Sequence, residues 1–154
     1  MNDRTSRLAI ALRSEFGINR GDRVAVLAEN DSNTFEVQFA CWKLGAIFVP
    51  LNWRLTIPEL KYIVSDADPS LIIHDDAYRE PSIKLAEICQ ISHRVTWGLS
   101  VEGAIHYEEI LALHEPMKSS VACTHDDPIS IMYTSGTTGL PKGAIITQGM
   151  VFYL

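Results

Sequence analysis

Residues 129–147 read "ISIMYTSGTTGLPKGAIIT". Two apolar runs, one ending at Tyr133 and one opening at Ala144, enclose a segment rich in glycine and hydroxyl groups. The flanks carry β-branched residues, so the pattern predicts strand, loop, strand. Gly136, Gly139 and Gly143 free the backbone to turn successive N–H groups into one concavity. Ser135, Thr137 and Thr138 add hydroxyl donors, and Lys142 adds a mobile point charge suited to a polyphosphate. Such a loop, following a buried strand, should emerge at a sheet end, where the ligands of α/β proteins sit.

Phosphate binding is the natural inference, but not through a Walker A loop. That pattern needs Gly before the lysine and Ser or Thr after it, and it opens a helix. Here Pro141 precedes Lys142, Gly143 follows it, and "GAIIT" reads as a strand. A solvated surface turn has the same Gly, Ser and Thr content, and composition alone does not separate the two readings.

Outward from the loop, strand-like and helix-like runs alternate. Leu8, Leu12 and Phe16 share a helical face that ends at Gly17, and Arg23 to Leu27 reads as a strand. Phe35, Phe39 and Trp42 recur at helical spacing before Gly45 and are expected in the core rather than around a ligand. "AIFVPL" is a second strand. "TIPELKYIVSDADP" is a helix with a capping box at Thr56 and Glu59, Pro58 in its first turn and Pro69 as a stop. "SLIIHD", "HRVTWG" and "PISIMY" are further strands; "PSIKLAEICQ", "HYEEILAL" and "QGMVFYL" are helices. This cadence predicts an α/β fold: a doubly wound parallel sheet with helices on both faces.

The 154 residues suffice for one domain with a sizeable core, and 47% hydrophobic with 21% charged residues is an ordinary globular balance. A net charge of −6 gives no electrostatic reason for a nucleic-acid or anionic-membrane partner. No apolar stretch approaches the roughly 20 residues of a membrane-spanning helix, and the N-terminus lacks a signal peptide's continuous apolar run. The cysteines Cys41, Cys89 and Cys123 are widely spaced and odd in number, as expected of thiols in a reducing compartment. A cytoplasmic location follows as the expectation. The five histidines form no metal-binding pattern.

"YTSGTTGLPKGAIIT" resembles the phosphate-binding signature of the adenylate-forming superfamily, which comprises acyl- and aryl-CoA ligases, luciferases and the adenylation domains of peptide synthetases. "GDRVAVLAEN", "ACWKLGAIFVPLN" and "ADPSLIIHD" resemble the first part of the same family's large N-terminal domain, in order and spacing. Only residues 76–125 are generic. The segment Pro50-Leu51-Asn52-Trp53-Arg54-Leu55-Thr56 is similar to carboxylate–CoA ligases rather than to the P-L-D-x-x-Y-P pattern of peptide synthetases.

The resemblance implies ATP- and Mg²⁺-dependent activation of a carboxylic acid, in first place a fatty acid, to an acyl-adenylate, then transfer to CoA. It assigns Thr134, Ser135, Gly136, Thr137, Thr138, Gly139 and Lys142 to the β- and γ-phosphates, with Lys142 stabilising charge on the departing pyrophosphate. Gln148 stands where the family commonly has His, at a position near the acyl site. Residues 1–154 would form an incomplete N-terminal AMP-binding domain. The C-terminal domain and the residues that hold adenine, Mg²⁺ and CoA are expected outside the chain. The isolated piece is then expected to be inactive and to self-associate. Two other readings remain at this level: a stand-alone α/β phosphate- or nucleotide-binding module, and part of an amino-acid adenylation domain.

Overall fold

The computed structural model describes residues 2–98, 103–135 and 139–152. Its helices are α1 (Asn2–Phe16), α2 (Ser32–Leu44), α3 (Ile57–Ala67), α4 (Arg79–Cys89), α5 (Tyr107–Leu113) and α6 (Gln148–Phe152). Its strands are β1 (Arg23–Leu27), β2 (Ile47–Leu51), β3 (Leu71–Asp75), β4 (His93–Trp97), β5 (Ile105–His106), β6 (Pro128–Thr134) and β7 (Lys142–Thr147). They form one seven-stranded sheet in the order β5-β4-β3-β1-β2-β6-β7.

Strand alternation divides the core in two. Val24 and Val26 of β1, Leu71 and Ile73 of β3 and Phe48 of β2 face α1, α2 and α5, where Leu8, Leu12, Tyr107 and Ile110 cover them. Ala25, Leu27, Ile72 and Val49 point the other way, against Leu60, Ile63 and Val64 of α3 and Leu85 of α4. Because both sets are apolar, neither face can be left to water, and the crossover helices supply both layers. The doubly wound α/β reading therefore holds. One direction differs from a wholly parallel sheet: β7 pairs antiparallel with β6, from Thr134↔Lys142 to Pro128↔Thr147. The seven residues between these strands are too few for a parallel crossover, which needs a dozen or more.

Local punctuation accounts for the helix boundaries. Asp31 Oδ1 accepts the Thr34 N–H at 3.0 Å at the start of α2. Gly45 ends that helix at φ 70, its N–H returning to Trp42 O at 3.2 Å while Ala46 N–H reaches Cys41 O at 2.9 Å. The capping box of α3 forms as its sequence requires: the Glu59 carboxylate accepts from the Thr56 N–H at 2.7 Å and from its hydroxyl at 2.6 Å.

Of the aromatic stripe of α2 only Trp42 packs against the core; Phe35 and Phe39 do not, contrary to the sequence reading. Phe35 is 50% exposed and Phe39 37% exposed. The buried face is Glu36, Val37, Ala40, Cys41 and Leu44. Both stripes have helical spacing, and the one with smaller side chains lets α2 lie close against α1 and the sheet. Cys41 is fully buried, which pushes its thiol up to about 12 and leaves it inert. All three cysteines are unpaired.

One charged side chain is carried into this interior with its partners. Glu36 Oε1 accepts from Arg4 Nε at 2.7 Å, and its Oε2 accepts from the Tyr107 hydroxyl at 2.9 Å. Arg4 then donates its remaining nitrogens to Glu108 at 3.0 and 2.7 Å, tying α1, α2 and α5 together. The hydrogen bonds from Arg4 hold the Glu108 carboxyl below its usual range. Stability from this pair is thus present above the ordinary carboxylate pKa and is lost as acid protonates Glu108. Tyr107→Phe should cost about 1–2 kcal/mol in urea unfolding, by leaving a buried carboxylate oxygen without its donor. Arg4→Met should cost more and flatten the acid side of the stability–pH profile.

Candidate functional site

The strands β1 to β6 all run parallel, so the segment after β6 leaves the sheet on the same rim as the segment after β2. Pairing between β2 and β6 is confined to Phe48↔Ser130. Pro50, two residues further along β2, has no N–H to extend a ladder. Beyond that point a cleft of about 520 Å³ lies between the strands and α3. Pro50 and Asn52 line one side, Glu59 and Tyr62 of α3 the floor, and Thr134, Ser135, Gly139 and Pro141 the loop side.

The structure brings several predicted loop residues together. Thr134 ends β6 directly opposite Lys142, which opens β7, so the two close the neck of the loop. Thr134, Ser135, Gly139 and Lys142 are all exposed. No described residue engages the Lys142 ammonium. Gly139 sits at φ 90, a conformation that requires glycine there. Gly136, Thr137 and Thr138 lie outside the described residues.

Gly143 serves a purpose other than the backbone freedom inferred from sequence. It lies within β7 opposite Tyr133, and its φ is not positive. A Cβ there would meet Ile131 Cγ2 at 2.8 Å and Tyr133 Cζ at 3.2 Å. The glycine therefore makes room for the Ile131 side chain and for the Tyr133 ring, which lies across the hairpin. Strand alternation then turns Lys142 to the opposite face of the hairpin from that ring.

Tyr133 and Asp66 were not singled out in the sequence. The Tyr133 hydroxyl donates to Asp66 Oδ2 of α3 at 2.5 Å. Burial, then this hydrogen bond and the carboxylate charge, push the phenol pKa up, so Tyr133 remains protonated. At the same rim the Arg54 guanidinium stacks on Trp53 at 4.1 Å from the ring centroid. A second cavity, about 710 Å³, adjoins α1 and α2 and is lined by Phe39, Trp42, Cys123, His125 and Gln148. No group of three or more His, Cys, Asp or Glu among the described residues could hold a metal ion, and no described helix is long and apolar enough to cross a membrane.

The AMP-binding enzyme family model matches residues 1–154, the entire chain. The chain belongs to the AMP-binding enzyme family. Among its relatives, a feruloyl-CoA synthase from Amycolatopsis sp. is 40% identical over 149 residues, 97% of this chain and 28% of its own length. The long-chain-fatty-acid–CoA ligase FadD13 of Mycobacterium tuberculosis is 36% identical over 155 residues, 98% of this chain and 29% of its own. Among solved structures, the anthranilate CoA ligase AuaEII in complex with anthranoyl-AMP superposes with a TM-score of 0.88 at 25% identity, over 94% of this chain and 28% of its own. The chain thus spans less than a third of the length of each of these family members.

Gly143→Ala tests the packing at the loop neck. It should destabilise the chain by about 1–3 kcal/mol in urea unfolding, the usual range for an overpacked site. Combining it with Ile131→Ala, which removes the nearest contact, should recover part of that loss relative to Ile131→Ala alone.

Proposed function

We propose that this chain is the phosphate-cradling part of an ATP-dependent acid–thiol ligase. That enzyme activates a carboxylic acid, first of all a fatty acid, as an acyl-adenylate and then passes it to CoA. The observation that carries the reading is the neck of the loop of residues 133–143, where Thr134 of β6 faces Lys142 of β7, in a chain matched along its whole length by the AMP-binding family. The acids in the relatives' names, ferulate and long-chain fatty acids, support the substrate class. The anthranoyl-AMP bound to AuaEII supports the adenylate as intermediate.

The chemistry asks for electrostatics and positioning rather than a protein nucleophile. A carboxylate oxygen attacks the α-phosphorus, the bond to the bridging oxygen breaks, and pyrophosphate leaves with the electron pair. The CoA thiol, losing its proton, then attacks the acyl carbon and expels AMP. Thr134, Ser135, Gly136, Thr137, Thr138 and Gly139 hold the β- and γ-phosphates through N–H and O–H donors. Lys142 neutralises charge as it builds on pyrophosphate. The absence of a partner for its ammonium among the described residues and the exposure of the neck fit a role that begins when ATP arrives. The cavity beside Gln148, with Phe39 and Trp42 in its wall, suits an apolar portion of the acid. Mg²⁺ fits the reaction as a partner of the phosphates, but the described residues offer it no cluster of ligands, and no step is assigned to it. Unpaired thiols accord with a cytoplasmic enzyme.

The test is carboxylate-dependent ATP–pyrophosphate exchange by the protein from the whole reading frame, across fatty, aryl and amino acids. Exchange should require an acid, and Lys142→Ala should lower kcat/KM for ATP by about a hundredfold. A folded protein that binds ATP but exchanges with no acid would overturn the reading in favour of a binding module.

The 154-residue chain by itself should show no exchange and should self-associate. The backbone of β7 has one neighbour among the described strands, and Ile145 on it is 57% exposed with Met150 at 54% close behind. Unprotected edges and apolar patches of this kind favour association. Sedimentation velocity should show dimers or larger species at micromolar concentration, and Ile145→Lys should shift them towards monomer. A single monomeric species at all concentrations would contradict this.

A further inference from the structure

We propose that Tyr133 and Asp66 form a positioning pair that sets the neck of the loop. The inference rests on the assignment of that loop to the phosphates of ATP. Tyr133 is the residue before Thr134, and Gly143 is the residue after Lys142. The Tyr133 ring lies over Gly143, so one side chain grips both strands of the neck at once. Its hydroxyl is fixed on Asp66 of α3, a helix whose Leu60, Ile63, Val64 and Ala67 are anchored in the core. The chain of contact therefore runs from the rigid sheet–helix layer, through one hydrogen bond, to the two residues that flank the loop.

This link is not part of the hydrophobic framework. Asp66 is exposed and lies 67 positions from Tyr133 in the sequence. The ring alone would still cover Gly143 if the hydroxyl were absent. What the hydroxyl adds is a fixed lateral position for the ring, and hence for the strand ends that carry Thr134 and Lys142. Without it, the neck can shift relative to α3 while the fold remains. The loss should fall on ATP binding and spare the site of the acid.

The test uses steady-state kinetics on the protein from the whole reading frame. Tyr133→Phe and Asp66→Ala should each raise KM for ATP about fivefold, the loss expected from one hydrogen bond. The KM for the acid and kcat at saturating ATP should remain within about twofold. Asp66→Asn, which keeps an acceptor for the phenol, should restore the native KM for ATP. The double variant Tyr133→Phe/Asp66→Ala should be no worse than either single one, because both remove the same bond.

An unchanged KM for ATP in Tyr133→Phe would overturn the proposal. A parallel change in both KM values, kcat and Tm would do so too, since it would mean a structural role alone. Lys142→Ala separates the two levels. If it raises KM for ATP while Tyr133→Phe does not, only the positioning role falls. If Lys142→Ala has no effect on ATP, the phosphate assignment falls and takes this inference with it.

Discussion

A sheet that is apolar on both faces must be covered on both, and most of this molecule follows from that constraint. The central strands β1 and β3 alternate one apolar set towards α1, α2 and α5 and another towards α3 and α4. Helices reach both faces only if successive crossovers leave the sheet in different directions, as the strand order with β1 between β2 and β3 requires. Parallel strands then deliver their outgoing connections to one rim. The segments after β2 and β6 become neighbours there, although some eighty residues of chain lie between them.

The rim acquires its shape from two departures from regular pairing. Pro50 has no N–H for the ladder where β2 runs alongside β6, and a cleft lies there rather than continuous sheet. The reversal at residues 135–141 makes β7 antiparallel, so Lys142 returns to face Thr134 across the loop neck. Thr134 and the Lys142 cation are thereby held at the ends of paired strands. A charge fixed at a strand end needs little movement to meet an anion, as the electrostatic role proposed for Lys142 requires.

Much of this was legible in the sequence, because its signals were local. The cap at Thr56 and Glu59, the stop at Gly45 and the left-handed Gly139 each depend on residues within one turn of each other. The face of α2 was misread because Phe35, Phe39 and Trp42 form one helical stripe and Val37, Ala40, Cys41 and Leu44 form another. Only close packing against α1 decides between them. The purpose of Gly143 was hidden for a related reason: a glycine beside a loop suggests a turn, whereas here it leaves space for a ring on the neighbouring strand. The pairs Tyr133–Asp66 and Glu36–Tyr107 join residues 67 and 71 positions apart, beyond the reach of any periodicity.

In the proposed reaction the loop holds the phosphate tail while a carboxylate attacks the α-phosphorus of ATP. The most direct measurement supplies the protein from the whole reading frame with its acid labelled by ¹⁸O in both carboxylate oxygens, together with ATP and CoA. Mass spectrometry of the nucleotide then follows the label. Each AMP formed should carry one ¹⁸O atom. Label in inorganic phosphate, with none in AMP, would mean attack at the γ-phosphorus and would contradict the proposed reaction.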